Sequence, residues 1–341
     1  MKKLKTVIIG CGNIFTMHVT PVMHRTDTEL VGVCDIKKDR ADKAAKKFGT
    51  VAYYDYEKML TELKPDIAHV CLPHYLHPVA SQFALEHGVN VLCEKPMSIR
   101  YADGEECVKA AEKNGVNYGV IFQCRYNDAS QLVKKTLESG ELGNVISARS
   151  TLTWFRPDDY YNGSDWKGTW DKEGGGVIID QAIHSLDLVN WFVESEPAQV
   201  SASYANRGHC VMEVEDTAEG LITYENGTRY AFWAMNNYGC DEPIEIRLLC
   251  EKGKVVLTYD DAWITFTDGR EVHVKQSADN LVYENGKDYW GFQHVKQIDE
   301  FYRSVHEKRA PEISGKEALK IQKIVCGIYE SGKTGKPVKL K

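Results

Sequence analysis

The sequence has no long block of Lys or Arg. Its 42 basic side chains are scattered among 49 acidic ones, leaving a formal net charge of −7. The attraction that nucleic-acid binding draws on is therefore missing, and no nucleic-acid partner is expected. Lys43, Lys46 and Lys47 cluster, but at helical spacing among alanines, as on a solvated helix face. No apolar run approaches the ~18 residues of a membrane span. The opening Met1-Lys2-Lys3-Leu4-Lys5 runs straight into a strand-like Thr6-Val7-Ile8-Ile9, too short for a signal h-region. A cytoplasmic protein without membrane association is expected. None of the ten cysteines stands in a C-x-x-C pair. Cys34, Cys71, Cys93 and Cys124 lie in apolar strand-like runs and read as buried free thiols of a reducing compartment, with no structural zinc. Internal repeats and low-complexity tracts are also absent.

What is present is 341 residues of ordinary globular composition, 43% hydrophobic and 27% charged, enough for roughly two domains. In the first ~120 residues short apolar runs (Thr6-Gly10, Leu30-Cys34, Ile67-Leu72, Val89-Cys93, Tyr118-Gln123) alternate with amphipathic stretches such as Asp39-Phe48, Pro78-His87 and Tyr101-Asn114. Buried parallel strands joined by helices explain this alternation, so residues 1–123 are expected to form a doubly wound α/β domain.

Beyond Val145 the pattern changes. Strand-like segments at Val200-Ala205, Thr217-Tyr224, Thr228-Met235, Ile244-Cys250, Lys254-Tyr259 and Ala262-Thr267 are separated by turn residues, and two helical stretches, Trp290-Lys308 and Lys316-Glu330, close the chain. Residues 124–341 are expected to form an α+β domain with a large, mostly antiparallel sheet that serves substrate binding and oligomerisation. In Tyr230-Ala231-Phe232-Trp233-Ala234-Met235 both alternating sets are apolar. Each face of the sheet there must therefore be covered, one by helices and the other by a second subunit or by more of the same chain. A homo-oligomer, dimer or tetramer, through the open sheet face is the expectation.

The first strand ends in Gly10-Cys11-Gly12-Asn13-Ile14-Phe15. Gly10 permits a tight turn, and Gly12 lets backbone N–H groups approach a pyrophosphate at a helix N-terminus. Phe15 stands where the G-x-G-x-x-G fingerprint has its third glycine. The next strand ends at Asp35, placed to accept hydrogen bonds from the adenosine ribose hydroxyls and to repel a 2′-phosphate. NAD is the expected cofactor. Lys37 and Lys38 can partly offset that repulsion, which leaves NADP open.

Leu72-Pro73-His74-Tyr75-Leu76-His77 follows the fourth strand and Cys93-Glu94-Lys95-Pro96 the fifth. With the glycine motif, the Glu-Lys-Pro resembles the hallmark of the Gfo/Idh/MocA family of oxidoreductases. Gln123-Cys124-Arg125-Tyr126-Asn127 is similar to that family's domain junction, and the stretch from Trp166 through Gly174-Gly175-Gly176 to Asp180 and His184 is similar to its substrate-site signature. The resemblance covers nearly the whole chain in the right order and says nothing specific about the substrate. It implies a cofactor set of Gly10, Gly12, Asn13, Ile14, Asp35, Leu72, Pro73, His74, His77, Glu94 and Lys95. His74 and His77, an H-x-x-H pair at a helix start, read as structural or cofactor-lining groups, and no metal is expected.

Hydride removal from a carbinol needs a base for the hydroxyl proton and a positive group for the developing alkoxide. Asp180 and His184, four apart in a helix-like segment, are expected on one face. By resemblance to the inositol-dehydrogenase branch, His184 is the base, Asp180 its partner or a substrate ligand, and Lys95 the group that polarises the reacting oxygen. The same resemblance makes Lys95, Arg125, Tyr126, Trp166, Lys167, Asp180 and His184 the substrate-binding set. For Arg125 and Tyr126 interdomain packing is the competing role, and for Trp166 and Trp170 packing on their own core. Gly174-Gly175-Gly176 is either a flexible loop or a close backbone approach to ligand. The expected function is an NAD-dependent dehydrogenase acting on a ring CHOH of an inositol, sugar or glycoside. The alternatives are redox-neutral glycoside cleavage through a 3-keto intermediate, in which NADH is reused, and a non-catalytic dinucleotide-binding sensor.

Overall fold

The computed structural model describes residues 3–258, 261–275 and 293–340. Its described part divides into two compact units: residues 3–123 with 293–319, and residues 124–275 with 320–340.

The first unit is built on β1 (Leu4–Ile9), α1 (Phe15–His24), β2 (Thr28–Cys34), α2 (Lys38–Phe48), β3 (Ala52–Tyr53), α3 (Tyr56–Leu63), β4 (Ile67–Val70), α4 (His77–Glu86), β5 (Asn90–Cys93), α5 (Tyr101–Asn114) and β6 (Tyr118–Val120). The six strands lie in the order β3-β2-β1-β4-β5-β6, and every pair is parallel. This is the doubly wound Rossmann sheet expected from the apolar runs. Val7, Ile8, Ile9, Val70, Val91 and Leu92 are buried on both faces, as central parallel strands require. Helix ends follow local chemistry. The Asp55 side chain caps α3 by accepting from the Glu57 and Lys58 N–H groups, while Gly49 and Gly115 end α2 and α5 in the left-handed conformation.

The second unit contains α6 (Asp128–Glu138), β7 (Val145–Thr153), α7 (Asp158–Asn162), a π-helical turn at Ile178–Ala182, α8 (Ile183–Val193), β8 (Pro197–Ala205), β9 (Thr217–Tyr224), β10 (Arg229–Met235), β11 (Glu245–Cys250), β12 (Gly253–Thr258), β13 (Asp261–Phe266) and β14 (Glu271–Lys275). With β15 (Val338–Lys339) they form a nine-stranded sheet, β14-β13-β12-β11-β7-β10-β9-β8-β15, antiparallel except for the β7–β10 pair. Tyr230, Phe232, Ala234, Ile246 and Leu248 face the interior, where α6 and α8 pack. The opposite set of β10 is open within one chain, where Ala231 is exposed and Trp233 keeps 38% of its surface in solvent. The apolar alternation therefore marks one covered face and one open face. Tyr259 and Trp290, at the margins of two expected elements, lie outside the described residues.

α9 (His294–Glu307) joins the first unit, although the sequence reading assigned that stretch to the substrate domain. The cause is burial: Ile298, Phe301 and Tyr302 share a core cluster with Val22, Ile67, Leu92 and Ile121. Each fully buried apolar side chain of this size contributes roughly 1.5–3 kcal/mol. α10 (Gly315–Thr334) then carries the chain into the second unit. All ten cysteines are free thiols, with Cys34, Cys71, Cys93 and Cys124 buried. Burial pushes the Cys11 and Cys34 thiols up to about 12. Among the described residues no helix is long and apolar enough to cross a membrane.

Candidate functional site

The sequence-predicted cofactor residues of the first unit stand at the carboxyl ends of β1, β2, β4 and β5, the edge where doubly wound sheets take ligands. Gly10, at φ +101°, is required by its surroundings, since a Cβ there would lie 2.1 Å from the Cys71 carbonyl oxygen. At Gly12 the same construction meets nothing nearer than the Arg40 guanidinium at 3.9 Å, so the space a pyrophosphate needs is open and a cation borders it. Phe15, in place of the third glycine, is buried edge-on against Phe48 at 5.8 Å and packs with Ile8 and Val19. The helix is thus seated by an aromatic contact where the usual motif uses close backbone packing. Asp35 accepts the Cys11 N–H on Oδ2 (3.0 Å) and the Lys37 N–H on Oδ1 (2.8 Å), tying the acid at the end of β2 to the glycine loop. Asn13 is exposed and Ile14 half-buried beside it. A dinucleotide fits these residues: Gly12 leaves the phosphate cradle clear, and Asp35 is an acceptor beside it.

At the other half of that edge, His77 is buried, with Nδ1 2.6 Å from the Pro96 carbonyl oxygen and Nε2 2.7 Å from that of Leu72. Both nitrogens face backbone acceptors, so the H-x-x-H pair offers no metal site, and His77 instead links the segments after β4 and β5. His74 is buried in the short turn before α4, its ring 5.8 Å from that of His77. Glu94 is turned inward, where its Oε1 meets His18 Nε2 and His294 Nε2, each at 3.0 Å. Lys95 follows, half-buried, with its N–H 3.2 Å from Glu94 Oε2.

In the second unit, Asp180 lies in the π-helical turn that precedes α8, so Asp180 and His184 do not share the single regular helix expected. One oxygen of Asp180, Oδ2, accepts from Tyr160 OH (2.8 Å) and Gln181 Nε2 (2.8 Å), and Lys167 Nζ is 3.3 Å away. Lys167 also contacts the Tyr160 hydroxyl and stands 5.1 Å from the Trp166 ring centroid. His184 is buried one turn on. Beneath the cluster, Glu173 accepts the Gly168 N–H on Oε2 and comes within 4.0 Å of Lys167 Nζ on Oε1. Burial, reinforced by Asp180, raises Glu173 to about 8. Glu215 accepts the N–H groups of Gly176 and Ile178 and the Tyr329 hydroxyl, yet burial still raises it to about 7. The triple glycine serves close packing inside this unit, because a Cβ on Gly175 would lie 1.9 Å from Tyr329 OH and one on Gly176 1.9 Å from the Glu215 carbonyl oxygen.

Arg125 is buried and forms a two-pronged bond to Asp187, with Nε at 2.8 Å and Nη2 at 2.6 Å from its oxygens. Tyr126 is buried next to it. Trp170 donates to the Glu213 carbonyl and packs edge-on against Tyr329, so it rests on its own core. The sequence reading missed Tyr160, Glu173, Gln181 and Glu215, and also Asn236, whose amide bonds Tyr161 OH and Gln181 Oε1. Glu215 sits in the acid-rich run Glu213-Val214-Glu215-Asp216, which does not single it out. Tyr160 and Asn236 carry no local signal, being joined to Asp180 only by the fold.

The two-part fold is shared with known proteins. Residues 4–122 match the profile described as an oxidoreductase family with NAD-binding Rossmann fold, and residues 130–256 match the GFO/IDH/MocA C-terminal domain. D-glucoside 3-dehydrogenase of Escherichia coli K12 is 27% identical over 99% of this chain and 97% of its own. Inositol 2-dehydrogenase of Salmonella paratyphi B is 25% identical over 74% of each chain. The crystal structure of the WlbA dehydrogenase from Chromobacterium violaceum, in complex with NADH and UDP-GlcNAcA, superposes with a TM-score of 0.87 at 30% identity over 100% of this chain and 97% of that one.

Proposed function

The chain belongs to the Gfo/Idh/MocA family of oxidoreductases with an NAD-binding Rossmann domain, and from that premise we propose that it oxidises a ring CHOH of a cyclic polyol, with pyranosides preferred over inositols. The observation that carries the substrate class is the polar nest around Asp180. Tyr160, Lys167 and Gln181 crowd one carboxylate, with Trp166 beside the lysine. Alternating donors and acceptors next to an aromatic face suit a polyhydroxylated ring. The preference for pyranosides follows the D-glucoside 3-dehydrogenase relative, which spans almost the whole chain.

When bound, the nicotinamide supplies the hydride acceptor. Lys95 offers its ammonium to the reacting oxygen and stabilises the negative charge that grows as the C–H bond weakens. His184 takes the hydroxyl proton on its imidazole. Asp180 orients the ring hydroxyls, its own charge balanced by Lys167. Gly10, Gly12 and Asp35 hold the dinucleotide, and Asp35 selects NAD over NADP by repelling a 2′-phosphate. Two copies pair through the open sheet face that carries Leu221, Trp233, Leu249 and Trp263, which light scattering tests.

The test is a screen of inositols, hexoses, uronic acids and glycosides for NADH formation, followed by Lys95→Ala and His184→Ala on the best substrate. Both variants are expected to lose turnover while NADH binding persists. Wild-type rates in both would refute the assignment. The E. coli relative also favours a second reading, redox-neutral glycoside cleavage that starts by oxidation at C3. NAD retained through purification, with glycoside cleavage and no net change in NADH absorbance, selects it.

A further inference from the structure

A series of buried polar side chains in the first unit is, apart from Glu94, used by neither the cofactor set nor the proposed catalytic set. It draws on five places in the fold: Thr6 on β1, His18 on α1, His69 on β4, Glu94 after β5, and His294 and Tyr302 on α9. Thr6 Oγ1 is 2.9 Å from Tyr302 OH, which is 2.9 Å from His69 Nε2. His69 Nδ1 is 2.8 Å from His18 Nδ1, and His18 Nε2 is 3.0 Å from Glu94 Oε1. That oxygen also meets His294 Nε2 at 3.0 Å, and the second carboxylate oxygen accepts the Lys95 N–H.

His18, Glu94 and His294 bring three potential metal ligands within 4.8 Å of one another. Zinc would draw such atoms to about 2.0–2.1 Å from a common centre. Here both imidazole nitrogens stand at hydrogen-bond distance from one oxygen, and a single direction of donation satisfies every link with no ion. A carboxylate only accepts, so His18 and His294 carry protons on Nε2. His18 then accepts on Nδ1 from the Nδ1–H of His69. His69 accepts on Nε2 from the Tyr302 hydroxyl, whose oxygen accepts from Thr6. Burial, with His18 nearby, lowers His69 and keeps it neutral. Burial pushes Glu94 up, but the bonds from His18 and His294 outweigh it and hold the carboxyl well below its ordinary value.

We propose that this one-way chain is a metal-free positioning lock, in which donors from two helices, α1 and α9, fix the Glu94 carboxylate, and Glu94, through the Lys95 amide, fixes Lys95 for the reaction. The lock rests on the catalytic reading of Lys95 given above. Its physical rationale is that a displacement of about 1 Å at a reacting group costs on the order of a hundredfold in rate. His18, His69, His294 and Tyr302 are thus positioning residues that touch neither cofactor nor substrate.

The experiment compares His18→Leu with His18→Gln, whose side-chain N–H can still donate to Glu94. His18→Leu is expected to lower kcat about tenfold or more, with Kd for NADH, titrated without substrate, within about threefold of wild type. His18→Gln is expected to recover most of the rate. In the unmodified protein, ring 15N shifts are expected to place the proton on Nε2 of His18 and Nδ1 of His69, and metal analysis to find no stoichiometric zinc. A folded His18→Leu protein with wild-type kcat overturns the lock, as do the opposite tautomers or stoichiometric metal that His294→Ala removes. Should His18→Leu not fold, the tautomers decide. Lys95→Met separates the two ideas. If it keeps full turnover, the catalytic reading of Lys95 fails, whereas loss of turnover there beside normal kcat in His18→Leu defeats the lock alone.

Discussion

Replacing Asp35 by Asn separates the two tasks this acid performs. Its two oxygens each accept a backbone N–H, from Cys11 at 3.0 Å and from Lys37 at 2.8 Å. An amide oxygen can keep one of these bonds, but the NH2 group then faces the other donor. Losing one charge-assisted bond and stranding its partner costs about 1.5–3 kcal/mol, to be read as a fall in stability by urea unfolding. The second task is electrostatic. A 2′-phosphate carrying about −2 charge some ~5 Å from a carboxylate is repelled by ~2 kcal/mol at an effective dielectric of ~60, so neutralising Asp35 should move the NADH-to-NADPH affinity ratio about thirtyfold toward NADPH. Fluorescence titration of both cofactors measures the ratio, and raising the salt should shrink the electrostatic part. If the two dissociation constants shift by the same factor, Asp35 only ties the glycine loop and does not face the ribose, and the assignment of NAD selectivity to it is wrong.

Gly10→Ala sets a Cβ 2.1 Å from the Cys71 carbonyl oxygen at a positive φ. It should cost about 3 kcal/mol or more and weaken NADH binding at least about tenfold, both measurable on purified protein. Arg125→Met leaves Asp187 buried without its guanidinium and should cost about 3–5 kcal/mol in urea unfolding; a rise in KM with stability unchanged would instead make Arg125 a substrate ligand. Glu215 titrates near 4.5 when unfolded and near about 7 when folded, so between those values the folded state binds more protons and stability falls as pH rises. Glu215→Gln should remove up to about 3 kcal/mol of that decline across this window, seen as wild-type and variant stability curves that converge or cross toward pH 7; parallel curves would refute the shift.

Period and composition were sufficient for the architecture. Near-continuous apolar runs such as Thr6-Val7-Ile8-Ile9 and Ile67-Ala68-His69-Val70, alternating with amphipathic stretches, read best as strands buried on both faces, and Gly10, Gly12 and Asp35 follow them at the spacing of a dinucleotide motif. The strands β9 to β13 were likewise read with starts within one residue, whereas β8 begins three residues earlier than read. The strands not read were short or mixed in pattern: Ala52–Tyr53 and Val338–Lys339 are too brief to show a period, Val145–Thr153 alternates too irregularly to stand out, and Glu271–Lys275 is largely polar.

What the linear sequence determined, then, is where chemistry can occur: a glycine turn, an acid at a strand end, a lysine after a buried strand, an aspartate and a histidine four apart. These signals are local, and local sterics and spacing impose them. The tertiary structure alone decided what each group is bonded to. It turned Glu94 inward onto two histidines, one of them 200 residues away, committed Arg125 to Asp187, and joined Tyr160 and Lys167 to Asp180 across a π-helical turn. Such pairings follow from which buried polar groups must satisfy one another once the core has closed, and no spacing along the chain records that choice.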